Sequence, residues 1–131
     1  MKKQIDQVTE FHNAFGVVNG TSPKLIDKET FQLRFNLMLE ENEEYLEACQ
    51  KEDLVGIADA LGDMMYVLAG TMLTHGMHNK IEEVITEIHR SNMSKLGEDG
   101  KPIIRDDGKV LKGPSYFKPN ISSILEKKKD E

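Results

Sequence analysis

Residues 31–70 read FQLRFNLMLE ENEEYLEACQ KEDLVGIADA LGDMMYVLAG, and this stretch decides the fold. Phe31, Phe35, Met38, Leu39, Asn42, Tyr45, Leu46 and Cys49 recur at the spacing of one helix face. Asp27 stands where an N-cap belongs, so the pattern predicts a long helix over about 28–51. Leu54, Ile57, Ala58, Leu61, Met64, Met65, Val67, Leu68 and Met72 then mark a second, far more apolar helix over about 53–75, ended by Gly76. The short connection between them implies antiparallel neighbours.

Outward from this pair, Ile5, Val8, Phe11, His12 and Phe15 predict a helix over 3–15, broken by Gly16 to Pro23. Asn79 with Glu82 three residues on has the form of a capping box for a fourth helix containing Ile81, Val84, Ile85 and Ile88. Past Ser94 the periodicity stops and glycine and proline punctuate the chain. Ile103-Ile104-Arg105 and Lys109-Val110-Leu111 flank Asp106-Asp107-Gly108, which predicts a small hairpin or a turn. The fold expected is all-α: an antiparallel bundle of four main helices with a non-helical C-terminal flap. One domain spans 1–131, with the flap at about 96–120 and a tail at about 121–131, charged and frayed from Lys127.

The 131 residues carry a net charge of -6, but the charge is uneven. Between Glu40 and Asp63 nine acids face one base, Lys51, while Arg90, Lys95, Lys101, Arg105, Lys109, Lys112 and Lys118 come late. An acidic centre with a basic periphery suits a metal and a phosphate; duplex nucleic acid wants a basic face. The one cysteine, Cys49, gives no disulfide framework, which points to reducing cytoplasm. No uninterrupted apolar run approaches the roughly 18 residues of a membrane span, so no membrane partner is expected. The apolar girth of the third helix exceeds what a short bundle covers, which predicts a homodimer or a tetramer of dimers with methionines at the interface.

The chemistry lies in two acidic clusters. Glu41 and Glu44 are about 60° apart on the helical wheel and aim at one point, with Glu40 beside Glu44 towards solvent. Arg34 and Leu37 share the Glu41 face. Asp59 and Asp63 share one face of the next helix, with Tyr66 beside them. A glutamate run on a helix is ordinarily a solvated face. Two such clusters on adjacent antiparallel helices are more specific, because carboxylates held against a bundle repel one another unless a cation joins them. Oxygen-only ligation favours magnesium or manganese over zinc. A di-iron bundle site uses Glu-x-x-His, and none of His12, His75, His78 and His89 has a glutamate three residues earlier. No Gly-x-x-x-x-Gly-Lys-Ser/Thr loop is present, which excludes a P-loop NTPase.

Glu40-Glu41-x-x-Glu44, followed on the next helix by an acid and Asp63-x-x-Tyr66, resembles the all-α nucleoside triphosphate pyrophosphohydrolases. That superfamily includes the MazG proteins, phosphoribosyl-ATP pyrophosphohydrolase and the dimeric dUTPases. His89-Arg90-Ser91-Asn92-Met93-Ser94-Lys95, with Asp99-Gly100-Lys101, Asp107-Gly108-Lys109 and Lys112-Gly113-Pro114, is similar to a MazG-like branch. The resemblance implies magnesium-dependent cleavage of a nucleoside triphosphate between the α- and β-phosphates, giving monophosphate and pyrophosphate, in nucleotide-pool house-cleaning. It implies Glu41, Glu44 and Asp63 as metal ligands and Glu40 as the extra leading glutamate. It also implies nucleotide or phosphate contacts at Asn92 and Lys95, with Lys109 and Lys112 as partners on the flap. Arg90 reads as a further contact or as a cation at a helix C-terminus. The departure is Ala60, where the superfamily's Glu-x-x-Asp motif expects glutamate. Asp59 is the candidate replacement, as metal ligand or as proton acceptor together with Glu40. The competing reading is a non-catalytic helical module that binds metal or nucleotide, or only dimerises.

Overall fold

The computed structural model describes residues 1–127; the frayed tail expected from Lys127 lies, past that residue, outside the described residues. Helix α1 runs Lys2–Phe15, α2 Lys28–Gln50, α3 Leu54–Thr74, α4 Ile81–Met93 and α5 Ile121–Glu126. The named elements are all α-helices; among the described residues the only β pairing is an isolated antiparallel bridge, Ile104 to Val110, closing the expected turn. The chain forms two compact units, residues 1–79 and residues from Lys80 onward.

In the first unit aspartates cap α2 and α3, Asp27 as expected. Asp27 accepts from the backbone N–H of Thr30 at 3.1 Å and from its hydroxyl, opening α2. Asp53 accepts from Gly56 N–H at 3.0 Å and opens α3 after a three-residue turn. That turn makes α2 and α3 an antiparallel hairpin, with Arg34 meeting Val67 and Thr71 at one end and Ala48 beside Gly56 at the other. Helix α1 packs on α3 through Ile5, Val8 and His12, all buried. The 16–27 connection is fastened to the end of α3: Gly20 N–H donates to Leu73 O and Lys24 N–H to His75 O. Gly76, at φ 69°, takes a left-handed turn against the Ser22 backbone, where a Cβ would stand 2.1 Å from Ser22 O.

The side chains of α2 do not follow the apolar pattern. Its buried residues are Arg34 and Ala48, whereas Phe31, Phe35 and Leu46 of the expected core stripe are 47, 54 and 56 % exposed. The seam against α3 is the heptad-spaced strip Arg34, Glu41 and Ala48 instead. Helix α3 has an 18-residue window of mean hydropathy 1.3 and is long enough to cross a bilayer, although no uninterrupted apolar run predicted this; only 17 % of that window is buried. Its composition is split by Asp59 and Asp63, which interrupt the run without lowering the average below that of a span.

In the second unit α4 begins at Ile81, with Lys80 in the capping position and no side-chain cap bond, so the capping box expected at Asn79 does not form. Glu82 and Glu83 occupy the first turn and supply the favourable charge there. The tail placed at about 121–131 opens with a short helix that was not expected, α5, capped by Asn120. Six residues are too few to show a helical period. The flap is pinned to α4 by the MazG-like motif itself. The buried Ser91 hydroxyl donates to Phe117 O at 2.8 Å, Phe117 N–H donates to Ser94 Oγ at 3.2 Å, and Gly113 N–H donates to Lys95 O at 2.9 Å.

Candidate metal centre

Helix α2 presents Glu41 and Glu44 three residues apart, and α3 brings Asp63 across the seam. One carboxylate oxygen of each lies within 4.8 Å of the others, close enough for a single cation to touch all three. Glu41 and Asp63 are half-buried and Glu44 is exposed, so the group opens to solvent on the Glu44 side. Glu41 Oε2 is fully buried and has no hydrogen-bond donor. A buried carboxylate oxygen without a donor is costly, and a cation resolves it. Burial raises the Glu41 carboxyl first, then the neighbouring Glu44, Asp63 and Asp59 carboxylates, to about 7 from its ordinary 4.5. The donor set is all oxygen and acidic, which fits a hard divalent ion such as magnesium or manganese.

Asp59 lies outside the group of three. It is exposed, one turn before Asp63, and acts on Glu41 through its charge. Ala60, where the motif expects glutamate, is 1 % exposed. Its methyl is closed into the packed interior of the first unit. Glu40 is exposed and also outside the group.

Arg90, Asn92, Lys95, Lys109 and Lys112 all belong to the second unit. Arg90 is committed within it: Nε pairs with Glu87 at 2.9 Å and the guanidinium lies 4.5 Å from the Phe117 ring centroid. Glu87 in turn accepts from Asn120 N–H at 2.7 Å, so the pair ties the flap to α4. Lys112 Nζ stands 4.8 Å from the Tyr116 ring centroid. The side chains of Asn92, Lys95 and Lys109 take no hydrogen bond among the described residues, although Lys109 N–H donates to Asp107.

The pattern reading gave Arg34 no role beyond sharing the Glu41 face. Arg34 is 8 % exposed, donating from Nε to Thr71 Oγ1 at 3.1 Å and from Nη2 to Val67 O at 2.8 Å. The detectable signal was its position, seven residues before Glu41 on the same strip.

A family model described as phosphoribosyl-ATP pyrophosphohydrolase matches residues 8–92, well over half of the chain and including every carboxylate of the centre. The chain belongs to the phosphoribosyl-ATP pyrophosphohydrolase family, within the all-α NTP pyrophosphohydrolase superfamily. Pyrophosphohydrolase chemistry on a nucleotide is what this membership carries. Among solved structures, the chain is similar to a putative NTP pyrophosphohydrolase from Exiguobacterium sp. 255-15, at 23% identity and a TM-score of 0.49, over 91% of this chain and 90% of that one. No curated protein matches the chain.

Proposed function

We propose that the chain hydrolyses a nucleoside or deoxynucleoside triphosphate between the α- and β-phosphates, giving monophosphate and pyrophosphate, with magnesium as its cofactor and manganese as a substitute. The observation that carries this reading is the convergence of Glu41, Glu44 and Asp63 around a buried Glu41 oxygen that has no donor. When bound there, the divalent ion supplies neutralisation of phosphate charge and lowers the pKa of water. Glu41, Glu44 and Asp63 hold it. Glu40 and Asp59, exposed on the same two helices, are the acceptors for the proton of the attacking water. Asn92 and Lys95, whose side chains are uncommitted among the described residues, are the phosphate contacts that the family resemblance implies; Lys109 and Lys112 assist from the flap. Arg90 serves the flap's attachment first, through Glu87 and Phe117.

The exposed apolar faces of α2 and α3 support assembly as a homodimer or a tetramer of dimers, and the acidic first unit argues against duplex nucleic acid as partner. A cytoplasmic house-cleaning role for non-standard or excess nucleotides accords with this reading. Buried Ala60 favours the second reading, a metal-binding module without turnover, because one carboxylate of the usual four is missing. A magnesium-dependent screen of canonical and damaged triphosphates, scored for monophosphate and pyrophosphate, decides between them. Pyrophosphate release from any member supports the hydrolase; metal binding without release from any of them supports the module.

A further inference from the structure

Three carboxylates facing one another across a helix seam push the two helices apart. Something must hold α2 in register with α3 against that push. Among the described residues, the only side-chain hydrogen bonds joining α2 to α3 are the two made by Arg34, to Thr71 Oγ1 and to Val67 O. The Thr71 hydroxyl itself donates to Val67 O at 3.0 Å, so guanidinium, hydroxyl and carbonyl close a small ring. Gly70 makes room for it: a Cβ there would stand 2.6 Å from Arg34 Nη2 and 2.9 Å from His12 Nε2. His12 is held in turn by Asn19, Nδ1 to Oδ1 at 2.6 Å.

We propose that Arg34 is a positioning residue whose bonds to α3 fix the register in which Glu41 and Glu44 meet Asp63. The proposal rests on the metal reading of that group. Arg34 lies two helical turns from Glu41, about 10.5 Å along the axis, and Val67 lies about 6 Å from Asp63 on the opposing helix. An apolar side chain at 34 would fill the seam but would let the helices slide by a fraction of a residue at little cost. A planar guanidinium with two fixed acceptors does not allow that slip. No carboxylate pairs with Arg34 among the described residues, so its charge is buried without a counter-ion. A group kept under that penalty is better explained by its directional bonds than by its bulk.

The test is manganese binding to the full chain, followed by electron paramagnetic resonance, with folding checked by circular dichroism. Thr71→Val removes one acceptor while keeping shape and charge; Arg34→Met removes the clamp; Arg34→Lys keeps the charge without the fork. Val8→Ala on α1 is the control, lowering stability from a buried apolar site that takes no part in the bonds of the clamp. The expected result is a Kd weakened roughly tenfold in Thr71→Val, Arg34→Met and Arg34→Lys, the low end for groups behind metal ligands, with Val8→Ala binding as the wild type does. An unchanged Kd in Thr71→Val and Arg34→Met, while Glu41→Gln abolishes binding, overturns the Arg34 role and leaves the metal reading standing. Equal weakening in Val8→Ala, or failure of Thr71→Val to fold, reduces the clamp to general stability and also overturns it. Wild-type protein that binds no manganese overturns the metal reading, and the Arg34 role falls with it.

Discussion

Glu41 and Asp63 come from different helices, 22 positions apart in the chain, and their carboxylates meet across the α2–α3 seam within 4.8 Å. Two like charges at that separation, one of them with a buried oxygen that has no donor, destabilise the metal-free protein. Glu41→Gln relieves this repulsion. It is expected to raise the melting temperature measured in chelator while abolishing the rise that magnesium produces in the wild type. A melting temperature lowered by Glu41→Gln would show that the carboxylate is already satisfied without metal.

The same crowding fixes the sign of a pH dependence. Glu41 in the folded, metal-free chain titrates near 7 against an ordinary 4.5. Between those values the folded state holds a proton that the unfolded chain has released, so stability falls as pH rises through that window. Thermal melts in chelator from pH 5 to 8 should show this decline, and Glu41→Gln should flatten it. Saturating magnesium should remove it as well, because the ion favours the charged form. A slope that is the same in Glu41→Gln assigns the effect to other groups.

Asp59 stands apart from the three converging carboxylates and is exposed. Asp59→Asn is therefore expected to lower the rate at saturating magnesium while leaving manganese affinity close to that of the wild type, as a proton acceptor or water-mediated contact requires. A sharply raised metal requirement would instead make Asp59 a direct ligand. Wild-type rate and metal dependence in Asp59→Ala would remove it from the site.

Much of this was legible in the sequence, and the failures have physical reasons. Asp27 announced the start of α2 because a carboxylate at an N-cap has one dominant use; the Asp53 cap of α3 went unread. The face shared by Glu41 and Glu44 followed from helical spacing alone. The packed strip of α2 did not, because pattern reading assumes that apolar residues face the nearest neighbour. Here Arg34 and Glu41 take that place, leaving Phe35, Leu39 and Leu46 outward. Nor was α5 visible, being too short to show a period. Asp59 and Asp63 stand one turn apart, and of the two only Asp63 joins the group with Glu41 and Glu44.

Those outward residues carry a prediction of their own. Phe35, Leu39 and Leu46 make one exposed stripe on α2, and Leu61, Met65 and Leu68 make another on α3. Apolar stripes of this extent are covered in native proteins. Sedimentation at micromolar concentration is expected to show a homodimer or tetramer, and the double variant Leu46→Glu with Leu61→Glu should shift it to monomer. A monomeric wild type would place these residues against some other partner.

The most direct test of the central claim is product analysis with magnesium as the variable. Triphosphate substrate, wild-type chain and Glu41→Gln are compared in excess magnesium and in excess chelator, scoring monophosphate, diphosphate, pyrophosphate and orthophosphate. The expected result is monophosphate and pyrophosphate in equal amounts from the wild type with magnesium, and a rate lower by orders of magnitude both in chelator and in Glu41→Gln. Diphosphate with orthophosphate, or full turnover in excess chelator, would contradict it.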